Sequence, residues 1–354
     1  MLRIGLTVNP IAGLGGPAAL KGTDGVDAPG LALAAGIVPQ AGLRAEMALA
    51  ALRRSGAPVE IIAAPGPLTC AADTIAAAQW LAARAVDVIA FAGGDGTARD
   101  VLKGSGGAVP LLGIPAGVKM YSGVFALSPQ AAGDLLAAMA RAPAAIVWRE
   151  AEVIDVDEAE PGSSASALRL YGYARTPHER RLMQNPKARA AASGEAGLRA
   201  LAAEIATGMA PDLTYLIGPG STTFLLKQRL GVAGALLGVD AVRDGRLLGG
   251  DLTRAGCDAL AGAGPLTIVV TVIGGQGFLF GRGNQQIGAA AIARAGRDGI
   301  IVMAGADKLS GLNGRLHADT GDAACDRLIS GYLRVHTAPH HSTMMRVCPA
   351  TIWP

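Results

Sequence analysis

Leu2-Arg3-Ile4-Gly5-Leu6-Thr7-Val8 alternates apolar and polar positions with the period of two that a strand requires. A glycine-rich turn from Asn9 to Gly16 follows. From about Gly42 to Arg54 the apolar residues recur at helical spacing, and Gly56 and Pro58 end that run before Val59-Glu60-Ile61-Ile62, which reads as a second strand. A further helix over about 70–84 leads into Val86 to Phe91, an unbroken apolar run of the kind seen where a parallel strand is covered on both faces. Leu111-Leu112-Gly113-Ile114 predicts another strand. Ser128 and Pro129 then mark a helix start, the hydroxyl as cap and the proline in the first helical position.

This alternation predicts an α/β fold with at least four strands in the first 150 residues. From Ile146 to Asp157 a longer β run carries many acids, and Pro161-Gly162-Ser163-Ser164 breaks the composition. The second half shows β runs at Leu213 to Ile217, Leu236 to Val242, Leu266 to Ile273 and Ile300 to Ala304, in a less legible layout. The expected division is residues 1–150, residues 151–320, and a last segment, 321–354, that returns to the first domain.

Composition narrows the function. A chain of 354 residues can bury two cores. The apolar fraction of 51% comes largely from evenly spread Ala and Gly, with no uninterrupted apolar run of the roughly 18 residues that a membrane span needs. The first residues lack the basic start, apolar middle and cleavage site of a signal peptide, so a cytoplasmic location is expected. Cys70, Cys257, Cys325 and Cys348 form no Cys-x-x-Cys pair, which predicts neither a zinc cage nor a disulfide framework. His336, His340 and His341 have no carboxylate or cysteine at ligand spacing, so no metal set is expected from protein side chains. A net charge of +3 and 4% aromatics point away from nucleic acid and toward a small ligand.

The candidate chemistry lies in Gly93-Gly94-Asp95-Gly96-Thr97, directly after the apolar strand. Phosphoryl transfer needs backbone donors around phosphate oxygens, a metal, and a group that takes the proton from the attacking hydroxyl. Gly93, Gly94 and Gly96 permit positive φ and close backbone approach, while Thr97 and Ala98 open a helix whose positive end faces the same point. Asp95 is the candidate base. The competing reading is a tight turn in which Asp95 only caps the helix.

Gly-Gly-Asp-Gly-Thr after an apolar strand resembles the signature of the superfamily of NAD kinases and of diacylglycerol and sphingosine kinases. Asn9-Pro10-Ile11-Ala12-Gly13 and Gly218-Pro219-Gly220-Ser221-Thr222-Thr223 are similar to further segments of that superfamily, in the same chain order. Within it, Leu20 to Gly25, Gly281-Arg282-Gly283-Asn284-Gln285-Gln286 and Asp319-Thr320-Gly321-Asp322 resemble the ATP-NAD kinase branch that includes acetoin-catabolism protein X. The resemblance implies a Rossmann-like N-terminal domain with a parallel sheet, a more β-rich C-terminal domain, and an active site in the cleft between them. It implies ATP, NAD and Mg²⁺ as cofactors, Asp95 as the base acting on a ribose 2′-hydroxyl, and a homo-oligomer that engages neither membrane nor nucleic acid. Asn9, Pro10, Gly13, Gly93, Gly94, Gly96, Thr97, Gly218, Gly220, Ser221, Thr222 and Thr223 would hold the nucleotide.

The chain departs from ordinary NAD kinases where an Asn-Glu pair should contact the dinucleotide. Glu150-Ala151-Glu152-Val153-Ile154-Asp155 stands there, so Glu152 and Asp155 become substrate candidates, on opposite strand faces unless a bulge intervenes. Lys21, Asp24 and Lys119 are further candidates on the family likeness alone, since composition by itself favours ordinary solvated turns. Arg282 and Asn284 sit among glycines, where Arg suits a phosphate grip and a solvated turn is the alternative. Gly13-x-Gly15-x-x-Ala18 lacks the long helix of a dinucleotide fingerprint, and Lys21-Gly22-Thr23 lacks the order of a P-loop. Kinase chemistry with ATP or polyphosphate is the leading expectation. A lipid kinase and a non-catalytic NAD- or ATP-binding protein associated with acetoin catabolism are the alternatives.

Overall fold

The computed structural model describes residues 1–13, 39–66, 68, 70–117, 120–156, 168–179, 182–183, 195–273 and 276–349. Lys21, Asp24 and Lys119 lie outside the described residues. The chain divides into two compact units, one taking in the described residues through 183 and the other those from 195 onward. The strand pair that follows residue 146 groups with the first unit.

In the first unit β1 (Leu2–Val8), α1 (Gln40–Arg54), β2 (Val59–Ala63), α2 (Ala71–Ala82), β3 (Val88–Gly93), α3 (Asp95–Ser105), β4 (Leu111–Pro115) and α4 (Pro129–Arg141) alternate as expected. The four strands form a parallel sheet in the order β2-β1-β3-β4. Every residue of β3 is buried, as its unbroken apolar run requires. That strand begins two residues later than its apolar run, because Ala85 turns with a φ of 50° and the Asp87 carboxylate is taken by the Arg3 amide at 2.7 Å. Ser128 Oγ caps α4 by accepting from Ala131 N at 3.1 Å, with Pro129 in the first turn. Gly133 lets α4 approach α1 closely, since a Cβ there would lie 2.2 Å from the Ala48 carbonyl oxygen.

The acid-rich run forms β5 (Val147–Val156), antiparallel to β6 (Leu168–His178). Ala151 and Val153 pack into the same core as Ala98 and Val101 of α3. Val153 pairs with Gly172 and Ile154 with Leu170, so the extra residue of the bulge is Tyr171 on β6 and the alternation of β5 continues unbroken.

The second unit holds α5 (Glu195–Thr207), β7 (Thr214–Ile217), α6 (Ser221–Arg229), β8 (Asp240–Arg243), β9 (Arg246–Gly249), α7 (Arg254–Ala263), β10 (Leu266–Val270), β11 (Phe278–Phe280) and α8 (Ala289–Ala295). It continues with β12 (Ile300–Met303), α9 (Ala306–Ser310), β13 (Arg315–Ala318), α10 (Ala323–Leu328), β14 (Gly331–Ala338) and β15 (His341–Pro349). Its nine strands follow the order β11-β13-β15-β14-β12-β10-β7-β8-β9, parallel from β7 through β14 and antiparallel at β14–β15 and at the β8–β9 end. The segment after residue 320 does not return to the first sheet: β14 pairs with β12, and β15 with β13 and β14. The strand expected from Leu236 starts only at Asp240, because residues 235–238 wrap the buried Lys227 ammonium, which donates to the Ala235 and Gly238 carbonyls at 2.8 and 2.9 Å. Among the described residues no helix is long and apolar enough to cross a membrane.

Candidate active site

The order β2-β1-β3-β4 reverses direction between β1 and β3, and ligands of open parallel sheets collect at the carboxyl ends of such a pair. Asn9 leaves β1 there and Gly94-Asp95 leaves β3 beside it, with Val8 paired to Ala92 and Asn9 N donating to the Ala92 carbonyl at 3.0 Å. The Asn9 side chain ties the two segments together. Its Nδ2 donates to Thr97 Oγ1 at 3.0 Å, and its Oδ1 accepts from Ile11 N at 3.1 Å. Pro10 is exposed in the turn that follows. Gly13 takes a φ of 85°, and a Cβ there would lie 2.6 Å from the Ala116 carbonyl oxygen, so this turn accepts only glycine.

Gly93 and Gly94 of the central motif serve packing, and the expectation of positive φ is corrected: none of Gly93, Gly94 and Gly96 is left-handed. A Cβ on Gly93 would lie 2.3 Å from Thr97 Oγ1. Gly94 meets Gly117 backbone to backbone, a Cβ on Gly117 falling 3.0 Å from the Gly94 Cα. At Gly96 a Cβ would sit at ordinary contact distance, the nearest atoms being Asp155 Oδ2 at 3.6 Å and Arg99 Nη2 at 3.8 Å. Helix α3 starts at Asp95, earlier than expected, and its first intrahelical bond runs from Ala98 N to the Gly94 carbonyl. The amides before Ala98 therefore have no acceptor within the helix, and they carry its positive end.

Asp95 does not cap its own helix. Its carboxylate crosses to the loop after β4, where Oδ2 accepts from Tyr121 N at 2.6 Å and Oδ1 accepts from Ser122 N at 3.0 Å and Ser122 Oγ at 2.6 Å. A carboxylate offers about four lone-pair positions, so these bonds leave one on Oδ2. The residue is only 5% exposed. Burial pushes its pKa up to about 7, the bonds from Ser122 and Tyr121 pull it down, and the nearby Asp155 charge adds to the rise. A carboxylate poised near neutrality suits a general base.

Asp155 also comes to this end of α3. Its Oδ2 pairs with Arg99 Nη1 at 2.8 Å, and Arg99 Nε holds Asp100 at 3.0 Å. Glu152 lies on the opposite face of β5, so the two acids proposed to share one duty are separated by strand alternation. Tyr121, Ser122 and Arg99 are site residues that sequence reading missed. Ser122 stands 27 positions from Asp95 and reaches it only through the adjacency of β3 and β4, a relation no local spacing encodes.

In the second unit, β7 ends at Ile217 and Gly220, with a φ of 123°, is the N-cap of α6. Ser221 is exposed, while Thr222 and Thr223 are buried. Thr223 Oγ1 donates to the Gly220 carbonyl at 3.0 Å, and Thr222 Oγ1 accepts from Lys308 Nζ at 2.8 Å. Gly218 N is spent on the Val269 carbonyl at 2.8 Å. Arg282 and Asn284 do not form an exposed loop. They are 3% and 5% exposed, Arg282 pairing with Asp319 at 3.4 Å over the Phe278 ring and Asn284 bonding Gly281 N and the Leu279 carbonyl. Gly281 is obligatory beneath them, since a Cβ there would lie 1.7 Å from the Asp319 carbonyl oxygen.

The start of α3, whose first amides have no acceptor within the helix, is the part of the first unit suited to a phosphate. Among the described residues no group of three or more His, Cys, Asp and Glu could hold a metal ion. A cavity of about 400 Å³ near the end of β2, lined by residues including Leu68, Asp73 and Trp80, does not include Asp95. Its one carboxylate already accepts from Cys70 N at the start of α2, so it offers less chemistry than the Asp95 site.

No curated protein matches the chain. The family model of the ATP-NAD kinase N-terminal domain matches residues 38–143, which include β3, the central motif and the Ser122 loop. That of the ATP-NAD kinase C-terminal domain matches residues 211–347, from β7 into β15. The two matches together span more than half of the sequence and follow the two units in order. The chain belongs to the ATP-NAD kinase family.

Proposed function

We propose that the chain transfers the γ-phosphoryl group of ATP to a ribose hydroxyl of NAD or a closely related nucleotide, with Asp95 as the base. Family membership supports an ATP-dependent kinase acting on NAD-type substrates. The carrying observation is the Asp95 carboxylate, fixed by three donors at the switch point of the sheet with one lone pair of Oδ2 left over. In the proposed step the acceptor O–H bond breaks, its proton passes to Asp95 Oδ2, and the freed electron pair forms the new bond to phosphorus as ADP departs. The magnesium ion, when bound, offsets the charge of the phosphates. The amides opening α3 bind phosphate oxygens, Asn9 and Thr97 fix the two loops, and Asp155 with Arg99 packs beside Gly96.

Within the second unit, Ser221 and the amides opening α6 are the groups of the Gly218 to Thr223 segment suited to an anion, since its buried threonines are engaged internally. Polyphosphate is a second candidate donor, and acetoin catabolism as the setting rests on the resemblance of three segments. The slight exposure of Asp95 favours one further reading, a nucleotide-binding protein without turnover. Incubation with ATP, Mg²⁺ and pooled metabolites including NAD, read by mass spectrometry, separates these readings. A phosphorylated nucleotide product that Asp95→Asn fails to make supports the kinase, and tight nucleotide binding without product refutes it. Phosphorylated lipid from vesicles, with none from NAD, would instead support a lipid kinase.

A further inference from the structure

Ser122 is 1% exposed and stands where three elements meet: the β4 loop it belongs to, the start of α3, and β5. Its Oγ lies 2.6 Å from Asp95 Oδ1, 2.9 Å from the Ile154 carbonyl oxygen and 3.0 Å from Ile154 N. The Ile154 amide can only donate, so Oγ accepts from it, and the one hydroxyl hydrogen is left to choose between two acceptors. The carboxylate is the closer and, when ionised, the stronger of the two. When Asp95 is protonated that advantage falls away and the hydrogen can turn to the Ile154 carbonyl, so neither state of the carboxyl strands a buried polar group.

We propose that Ser122 is a positioning residue for the phosphoryl transfer, its hydroxyl following the proton on Asp95 by turning between the Asp95 carboxylate and the Ile154 carbonyl. This rests on the reading of Asp95 as the base. By holding Oδ1 through its amide and hydroxyl, Ser122 leaves Oδ2 as the oxygen that meets the substrate. Ile154 precedes Asp155, so the same stretch of β5 that aims the serine also carries the carboxylate paired with Arg99.

The test is the pH dependence of kcat/KM in Ser122→Ala, Ser122→Cys and Ser122→Thr, with nucleotide affinity and thermal melting measured alongside. Loss of a bond to the ionised carboxylate favours its protonated form, so in Ser122→Ala the acidic limb should move up by about one pH unit. Activity at pH 6.5 should then fall about tenfold and recover toward the parent value at high pH, with nucleotide affinity unchanged. Ser122→Thr keeps the hydroxyl and should restore the limb. Should Ser122→Ala melt below the assay temperature, Ser122→Cys carries the same test, because a thiol of similar size is a weak donor and should also raise the limb. A limb that superimposes on the parent's, with kcat reduced equally at every pH, overturns the proposal and leaves Ser122 as packing. Asp95→Asn separates the two levels: unchanged turnover there sinks the base itself, whereas lost turnover there with an unshifted serine variant sinks only the role of Ser122.

Discussion

Asn9 Nδ2 donates to Thr97 Oγ1 across 3.0 Å, joining the turn after the first strand to the helix after the third. The two residues are 88 positions apart, and the bond exists because β1 and β3 are neighbours in the sheet. Asn9→Ala and Thr97→Val should therefore be coupled. A double-mutant cycle by urea denaturation should return an interaction of about 1 kcal/mol, and additive effects would show that the bond contributes nothing. Nucleotide KM should rise more than kcat falls in either variant.

The rate of the parent enzyme should climb with pH through about 7, since burial raises Asp95 to about 7 and only its ionised form accepts a proton. Asp155 contributes to that rise, so Asp155→Asn should move the acidic limb to lower pH. Initial-rate measurements from pH 5.5 to 9 decide this, and a shift upward would contradict the assigned electrostatics.

Lys227 and Asp240 form an ion pair of 2.7 Å with both side chains essentially inaccessible, completed by carbonyls on the lysine and by the Ala235 and Asp251 amides on the aspartate. Lys227→Met strands a buried carboxylate and should cost about 3–5 kcal/mol, read as a lower denaturation midpoint. Lys227→Met combined with Asp240→Leu should recover part of the loss; a double variant no better than the single would show that the charge is not what matters.

His317 lies beside the Phe278 ring, with centroids 5.5 Å apart, and burial, followed by the Arg282 and Arg315 charges, lowers its pKa to about 4. The folded state thus prefers the neutral ring. Its contribution is fully present above the ordinary value of 6.5 and is lost as pH falls through about 4, because the unfolded chain takes up the proton first. Melting temperature against pH should fall more steeply below pH 6.5 for the parent than for His317→Gln, by the equivalent of about 3 kcal/mol at pH 4. Parallel curves would remove His317 as a source of acid sensitivity.

The first unit was readable because strands and helices alternate along the chain to build a simple parallel sheet, and burial of β3 left an unbroken apolar run from Val88 to Phe91. The second was not, since strands such as Phe278–Phe280 and Arg315–Ala318 are three or four residues long and gain their stability from partners distant in sequence. Asp95 could be found from its motif, while Ser122 and Tyr121 could not, because what marks them is contact. The burial of Arg282 and Asn284 was hidden for the opposite reason. Glycines on either side suggest solvent, whereas here Gly281 is small in order to let a backbone pass under Asp319.

β15, the latest of the described strands, occupies an interior place between β13 and β14. A ribosome must therefore deliver almost all of the chain through residue 349 before the nine-stranded sheet can close, whereas the β2-β1-β3-β4 sheet can assemble once β4 has emerged. Stalled or proteolytically clipped products that lack the closing strand would leave the β13 and β14 edges exposed, making them targets for chaperone capture and self-association.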